Sequence, residues 1–385
     1  MSDAASSLLG VARESSKRAH FPHFASRPWP VRSSPVANSD GPLTPLSARF
    51  HSASEGRPRS LATGGLRTGQ GFEHTPAMLA EVVELFAGVP NGTLLDATLG
   101  GGGHAAALLE SRPDLRLIGI DQDAAAIAAA TMRLGRFGDR VHITHARFDE
   151  MGTIVRTRLG DELLVGVLFD LGVSTAQIDA PTRGFSFRLD GPLDMRMDPR
   201  QARTAADVVN AIEPRELELL LRANGETRLG RRIADAIVAA RPITRTAQLA
   251  DVVVAAVPGA ARRRGHPARR VFQALRIATN EELSILPDAI DEAISLTRTG
   301  GRVVVLSYHS GEDQITKERL GFAATGGCTC IPELPCVCGA IATARLLTRG
   351  ARLPSRTEIA GNPRAEAARL RAAEIIDPVP VREAR

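Results

Sequence analysis

The sequence has very few lysines and no long apolar run. Of its 48 basic residues only Lys17 and Lys317 are lysines, so arginine carries nearly all of the positive charge. No segment reaches the about 18 consecutive apolar residues that a membrane-spanning helix requires, so we expect no such helix. The first residues also lack a basic region followed by an apolar one, which argues against a secretory signal and for a cytoplasmic protein.

Cysteine is confined to one short segment. All four cysteines lie between Cys328 and Cys338, whereas a disulfide framework would spread them along the chain. The pairs Cys328-x-Cys330 and Cys336-x-Cys338 leave three interpretations open: a zinc site, because thiolates suit zinc, a plain loop with free thiols, or redox chemistry. The sequence alone assigns no metal ligand.

The residues that are abundant indicate a folded, basic protein. Hydrophobic residues form 43% of the 385 residues, which is enough for a substantial core. A net charge of +5 fits a nucleic-acid partner, although many basic proteins bind no nucleic acid. Charge by itself therefore leaves the partner open.

The first 71 residues differ from the rest of the chain. Residues 1–71 are rich in Ser, Arg, Pro and Gly and show no sustained apolar period, which predicts a disordered tail. An organellar transit peptide is the alternative, but the acidic residues Asp3, Glu14, Asp40 and Glu55 weaken it.

From residue 72 onward, short apolar runs alternate with helical patterns. Thr75-Pro76 is typical of a helix start, and Asp123 is expected to cap a helix that ends at Leu134. A long helix is predicted from Val271 to Thr297. The alternation predicts an α/β fold with a doubly wound parallel sheet. Its expected strands are Thr93–Ala97, Leu115–Ile120, Val141–Thr144, Leu163–Phe169 and Arg302–Ser307.

The strand pattern is interrupted between residues 176 and 270, where only helices and loops are expected. We therefore predict a sheet domain in two parts, 72–175 and 271–371, a helical domain inserted as 176–270, and a C-terminal tail, 372–385. The insert contains Arg262–Arg264, Arg269 and Arg270, which are either phosphate contacts or part of a solvated loop.

Four consecutive glycines follow the first predicted strand. The strand ends at Asp96, and Gly100 to Gly103 lead into His104 and a helix. Such a loop lets a ligand approach the backbone and presents free helix N–H groups to it. Alone, the loop does not separate NAD from S-adenosylmethionine, nor either cofactor from a tight turn without ligand.

Acidic residues end two further strands. Asp121, 25 residues after Asp96, is placed to accept hydrogen bonds from ribose hydroxyls, and Asp170 ends the fourth strand. Because the carboxyl ends of parallel strands meet at one edge, these carboxylates predict a ligand cleft there. Phe148, after the third strand, either packs on an adenine face or belongs to the core.

Longer motifs are more specific. The segments that carry them are Asp96–His104, Leu168–Ser174 with Gln177 and Asp179, Arg183–Phe187, Leu193–Met197, His266–Ala268, Phe272–Ile277, Asn280–Leu283 and His309-Ser310. Together, from about His74 to Arg371, they closely resemble the bacterial cytosine-N4 methyltransferases of 16S ribosomal RNA, the RsmH/MraW family.

The resemblance implies a class I (Rossmann-like) S-adenosylmethionine-dependent methyltransferase with an inserted helical domain. It implies methyl transfer to the exocyclic N4 amine of a cytidine in the decoding region of small-subunit ribosomal RNA, with the small ribosomal subunit or its RNA as partner. The residues that it places at the cofactor are Gly102, Gly103, His104, Asp121, Phe148, Asp170 and Gln177. The oligomeric state is not indicated.

The chain departs from the family pattern in three places. Ser174-Thr175-Ala176-Gln177 replaces Ser-Ser-Pro-Gln. Tyr308–Gln314 reads Tyr-His-Ser-Gly-Glu-Asp-Gln where the family has Phe-His-Ser-Leu-Glu-Asp-Arg, and Ala365–Arg371 replaces Ser-Arg-Ser-Ala-Lys-Leu-Arg. The last two changes concern possible RNA contacts rather than cofactor use.

Methylation of an amine requires alignment of nitrogen, methyl and sulfur and a group that accepts a proton. We expect Asp170 to be that group, with His309 as the second candidate. The loop after Asp170 supplies no aromatic side chain, so Phe185, Phe187 or Tyr308 is expected to stack on the base. Two alternatives remain, a binding-only RNA or ribosome assembly factor and an NAD-dependent oxidoreductase.

Overall fold

A computed structural model of the chain describes residues 75–226, 228–259, 265–331 and 337–381. The predicted tail 1–71, the run Arg262–Arg264 and Cys336 lie outside these ranges. Among the helices within them, none is both long and apolar enough to cross a membrane.

The described residues contain one seven-stranded sheet. Its order is β3-β2-β1-β4-β5-β7-β6, and β7 runs antiparallel to both of its neighbours while the first five strands are parallel. This confirms the predicted doubly wound sheet and the class I fold. The strands are β1 Gly92–Asp96, β2 Leu115–Asp121, β3 Val141–His145, β4 Leu164–Asp170, β5 Thr297–Ser307, β6 Ile341–Leu346 and β7 Arg369–Pro380.

Helices cover both faces of the sheet and fill the interval between β4 and β5. Those that alternate with the first strands are α1 Leu79–Ala87, α2 Gly103–Ser111, α3 Ala124–Leu134 and α4 Met151–Leu159. Those of the interval are α5 Thr175–Asp179, α6 Ala205–Ala211, α7 Pro214–Ala223, α8 Gly230–Ala239, α9 Thr246–Ala256, α10 Ala268–Asn280 and α11 Glu282–Leu296. The last two are α12 Ser310–Thr325 and α13 Arg356–Gly361.

Within the part of the chain that the structure describes, apolar side chains form three separate cores. Two lie on opposite faces of the sheet, one around Phe169 and Ile290 and the other around Phe86 and Leu168. The third lies within the helical interval and runs from Phe185 to Leu275. The strand β4 is buried along nearly its whole length, as expected for a parallel strand that is covered on both faces.

The predicted helix from Val271 to Thr297 is two helices. Glu281 has a left-handed backbone (φ 55°), which ends α10 and starts α11 in a new direction. Val271 and Leu275 on α10 pack in the helical core, whereas Ile290 on α11 packs on the sheet. The helical core therefore extends past the predicted boundary at 270, to Leu275 and the partly buried Ala278.

Two terminal predictions were also wrong. The first helix begins at Leu79 rather than at Pro76, because Met78 adopts a left-handed conformation (φ 52°). The predicted tail from residue 372 instead forms most of β7, in which Ala372 and Ala373 are fully buried between β5 and β6. Alanine is only weakly apolar and has a low strand propensity, so the local pattern does not predict this strand.

Candidate active site

The glycine loop connects β1 to α2 at the carboxyl edge of the sheet. Gly100 and Gly102 have positive φ (52° and 73°), which favours glycine at both positions. A Cβ on Gly100 or Gly101 would have no atom within 4 Å, whereas a Cβ on Gly103 would collide with the ring of Pro76. The loop is thus packed at its helix end and faces open space at its strand end.

Asp121, at the end of β2, holds this loop in place. Its two carboxylate oxygens accept hydrogen bonds from the backbone N–H groups of Gly100 (2.7 Å) and Asp123 (2.8 Å). Burial raises the pKa of Asp121 to about 6, and the two N–H donors oppose that rise. A carboxylate accepts about four hydrogen bonds, so capacity remains for ribose hydroxyls.

Asp123 caps α3, as predicted, and also forms a buried polar network. One carboxylate oxygen accepts the N–H of Ala125 (2.9 Å). The other accepts hydrogen bonds from the amide of Gln177 and the guanidinium of Arg183, each at 2.8 Å. The amide oxygen of Gln177 in turn accepts the N–H of Ser174 (2.9 Å). Gln177 therefore joins the start of α5 to α3, which positions the loop after β4.

Phe148 lies mainly in the core. Its side chain is only 8% exposed and meets Phe169 edge to face, with ring centroids 5.9 Å apart. Its contact with adenine stays a prediction.

Asp170, at the end of β4, is the central carboxylate of the cleft. One of its oxygens accepts a 2.7 Å hydrogen bond from the Tyr308 hydroxyl, and the other lies 3.5 Å from Nδ1 of His104. Its backbone N–H donates to the Thr98 hydroxyl at the start of the glycine loop. Burial and the adjacent Asp170 charge raise the pKa of Tyr308 well above 10, so the hydroxyl keeps its proton.

His104 interacts with the charges of two acids, Asp170 and the fully buried Asp96. Its Nε2 lies 3.0 Å from the carbonyl oxygen of Ala77 and donates to it, which leaves Nδ1 facing Asp170. Burial lowers the pKa of His104, but Asp170 and Asp96 outweigh burial and raise it above 6.5. Asp96 is 1% exposed, and burial raises its pKa to about 7 despite the nearby histidine.

His309 is turned toward Glu312 rather than toward the Asp170 carboxylate. Its Nδ1 accepts the N–H of Glu312, which caps α12, and its Nε2 lies 3.1 Å from the carboxylate of Glu312. Glu312 is 2% exposed; burial raises its pKa, but His309 and Arg276 lower it overall. The same carboxylate accepts the N–H of Tyr308 (2.7 Å), so it positions the aromatic ring beside Asp170.

Arg276 and Glu282 complete this buried ion cluster. The guanidinium of Arg276 makes two 2.8 Å hydrogen bonds to Glu282 and lies 3.9 Å from Glu312. These motif residues of α10, α11 and α12 thus form a buried ion cluster that holds Tyr308, and through it the surroundings of Asp170, in place. This geometry favours a positioning role for His309, and its role as proton acceptor stays a prediction.

Comparison with known proteins identifies the family of this chain. Residues 71–376 match the model of the MraW methylase family. A Thermobifida fusca protein named "Ribosomal RNA small subunit methyltransferase H" is 50% identical over 309 residues, 78% of this chain and 93% of that protein. A protein of the same name from Geobacter sulfurreducens is 48% identical, over 79% of this chain and 99% of its own length. The chain belongs to the MraW methylase family.

Membership in this methylase family confirms the resemblance seen in the sequence and favours methyl transfer over a dehydrogenase. The carboxyl edge of the sheet brings together the glycine loop, His104, Asp121 and Asp170, which the sequence predicts as site residues. It adds Tyr308 as the direct partner of Asp170 and Arg183 as the partner of Asp123. Tyr308 follows the β5 strand end, which is the signal that could have paired it with Asp170.

In this MraW-family chain, one face of the helical interval carries aromatic and cationic side chains. Phe187 stacks on His266, with centroids 4.5 Å apart and 21° between the rings, and Arg188 lies 5.5 Å from the Phe187 centroid. Arg269 follows on the same stretch as His266 and is exposed. Phe185 is buried in the helical core, so it is not available for stacking on a base.

Proposed function

We propose that this protein transfers a methyl group from S-adenosylmethionine to the exocyclic N4 amine of a cytidine in the decoding region of small-subunit ribosomal RNA. Membership in the methylase family and relatives named for small-subunit ribosomal RNA support the reaction class and the substrate. Specificity for N4 of cytidine and for the decoding region rests on the motif resemblance.

The residues at the carboxyl edge fit the cofactor. Backbone beside Gly100 and Gly101 borders open space, and Asp121 has acceptor capacity left next to it. In this proposal Gly102, Gly103 and His104 lie along the methionine portion, Asp121 holds the ribose, and Phe148 and Gln177 border the adenine. When bound, the cofactor supplies an electrophilic methyl group on a positively charged sulfur.

In this proposal the protein aligns the N4 amine with the methyl group and accepts the proton that the amine loses. The N4 amine is a weak nucleophile, because its lone pair is delocalised into the ring, so positioning contributes much of the rate. Asp170 accepts the amine proton at a lone pair that neither the Tyr308 hydroxyl nor His104 occupies, while Tyr308 keeps its own proton. His104 holds Asp170 from the opposite side. A base that is stacked in folded RNA must first be unstacked to reach this point.

The helical interval is proposed as the RNA-recognition domain. Its exposed side carries the Phe187–His266 stack with Arg188, and base stacking together with arginine contacts is a common way to hold single-stranded RNA. Arg269 adds an exposed charge for a phosphate.

One observation carries the proposal: Asp170, with Tyr308 and His104, lies beside the same loop that borders the cofactor space. The test is methyl transfer from radiolabelled S-adenosylmethionine to small ribosomal subunits that lack the modification, followed by nucleoside analysis. We expect label in N4-methylated cytidine. Label in another nucleoside would contradict the specificity, and cofactor binding without transfer would favour a binding-only assembly factor.

A further inference from the structure

A cysteine cluster lies far from the cleft, in the loop between α12 and β6. The helix ends at Gly326, whose φ of 55° is left-handed, and a Cβ there would collide with the backbone of Ile341. The N–H of Cys328 donates to the carbonyl of Thr325 (2.8 Å). This hydrogen bond closes a tight turn at the end of the helix. Both ends of the loop are therefore held together at its base.

Three thiols converge in this loop. The sulfur atoms of Cys328, Cys330 and Cys338 all lie within 4.8 Å of one another. Thiolates around a tetrahedral zinc, with bonds of about 2.3 Å, are about 3.8 Å apart, so only a small contraction would bring the three sulfurs to a zinc ion. Cys328 and Cys330 are half-buried and Cys338 is exposed, which leaves an entry path for the metal.

Apolar packing does not account for the convergence. The apolar side chains adjacent to the thiols, Ile331 and Val337, are 59% and 89% exposed. The described parts of the loop, 326–331 and 337–340, contain no helix or strand. A long loop of this kind is usually functional or cross-linked, and thiolates on a common metal would supply the cross-link.

We infer that Cys328, Cys330 and Cys338 supply three of the four ligands of one zinc ion that cross-links this loop. Zinc replaces the thiol protons, which are released to solvent, and the metal then ties the end of α12 to the start of β6. The 16 residues of α12 span about 24 Å, so this site is distant from Asp170 and takes no part in methyl transfer. The inference does not depend on the proposed reaction.

The decisive experiment measures metal in the untagged, full-length protein purified without chelator. We expect about one zinc per chain by mass spectrometry of the metal, and almost none in the Cys328→Ser/Cys330→Ser/Cys338→Ser variant. Thr329→Ser, an exposed substitution in the same loop, is the matched control and should keep its zinc. Equal zinc in the triple variant, or no zinc in the wild type after anaerobic reconstitution, would overturn the site.

A second measurement covers the case in which the triple variant does not fold. Wild-type protein is stripped with a chelator and reloaded with cobalt(II), which should produce a thiolate-to-metal charge-transfer band. Reloading with zinc should restore the melting temperature and protect the thiols from alkylation. A disulfide among these cysteines in the freshly purified protein, or cobalt binding without the thiolate band, would contradict the inference.

Discussion

At the scale of single residues, the proposed reaction centres on Asp170. Its carboxylate is held by Tyr308 on one side and approached by His104 on the other, while its backbone bonds to Thr98 in the glycine loop. Three elements thus fix the position of one carboxylate, as the transfer of a proton from a precisely placed amine requires.

Replacing Asp170 with asparagine should abolish turnover but leave cofactor binding nearly intact, because an amide retains the shape but does not accept the proton. The loss should be about 100-fold or more in kcat, measured with small subunits as substrate. Asp161→Asn, an exposed acid shortly before β4 and outside the family motifs, is the control. Normal turnover by Asp170→Asn would rule out its role as proton acceptor.

Tyr308→Phe tests whether the Tyr308 hydroxyl stabilises the fold or takes part in methyl transfer. Phenylalanine is the residue of the family pattern at this position, so we expect kcat within a few-fold of the wild type. The free energy of unfolding should fall by about 1.5–3 kcal/mol, because Asp170 loses a hydrogen bond to a charged group. A large loss of kcat with unchanged stability would show instead that the hydroxyl takes part in the reaction.

Asp96 should make stability depend on pH. Its pKa is raised from 3.8 to about 7, so the folded state binds a proton that the unfolded state releases between these values. Stability from this group is therefore lost as the pH rises from about 4 to about 7, by at most about 1.4 kcal/mol per pH unit. The measurement is the free energy of unfolding in urea at pH 5 and at pH 7. Between these two pH values it should fall less in Asp96→Asn than in the wild type.

The exposed acid Asp139 is the control for this comparison. Asp139→Asn should reproduce the pH dependence of the wild type. If Asp96→Asn also reproduced it, the buried carboxyl would not be the source of the effect.

At the scale of elements, the glycine loop between β1 and α2 combines two different requirements. Gly103 must be small because the Pro76 ring packs against it, whereas Gly101 borders open space. The protein should therefore respond differently to alanine at these two positions.

Gly101→Ala should weaken cofactor binding about tenfold or more while changing the free energy of unfolding by less than about 0.5 kcal/mol. Gly103→Ala should instead lower the melting temperature, because Pro76 or the helix must move. Calorimetric binding of S-adenosylmethionine and thermal unfolding separate the two effects. Unchanged affinity in Gly101→Ala would show that the cofactor does not approach this backbone.

Within the helical interval, one buried amide side chain joins two distant segments. Asn280, 1% exposed, accepts the N–H of Met197 and donates to the carbonyl of Met195, each at 2.8 Å. Met195 has a left-handed backbone (φ 58°) that these bonds help to hold. Asn280 thus fastens the motif segment from Leu193 to Met197 to the end of α10, inside the helical interval.

At the scale of the whole molecule, the sheet edge and the helical interval divide the proposed work between cofactor and RNA. Arg369–Arg371 forms the start of β7, where Arg371 pairs with Asp313 at 2.7 Å while Arg369 stays half exposed. The departures from the family pattern lie at other positions of this segment, such as the exposed Glu366, and their effect on RNA contact stays a prediction.

Arg269→Ala should weaken binding to small-subunit RNA and lower the slope of log K against log salt by about 1, since one phosphate contact is lost. Cofactor affinity should not change. Arg116→Ala, an exposed arginine at the amino end of β2, is the control and should keep the salt dependence of the wild type. An unchanged slope in Arg269→Ala would exclude that residue from the RNA interface.

The sequence by itself determined the positions of the parallel strands, the glycine loop and the acids at the strand ends. The strands follow from local apolar periodicity. The loop and the acids follow from residue types that rarely occur in such positions without a structural or functional reason. Tertiary structure alone decided the break at Glu281, the burial of β7 and the pairing of Tyr308 with Asp170. Each of these depends on contacts between segments distant in sequence, and residues such as alanine and tyrosine carry no local signal for them. The convergence of three cysteine sulfurs is of the same kind, since spacing along a chain does not fix distance in space.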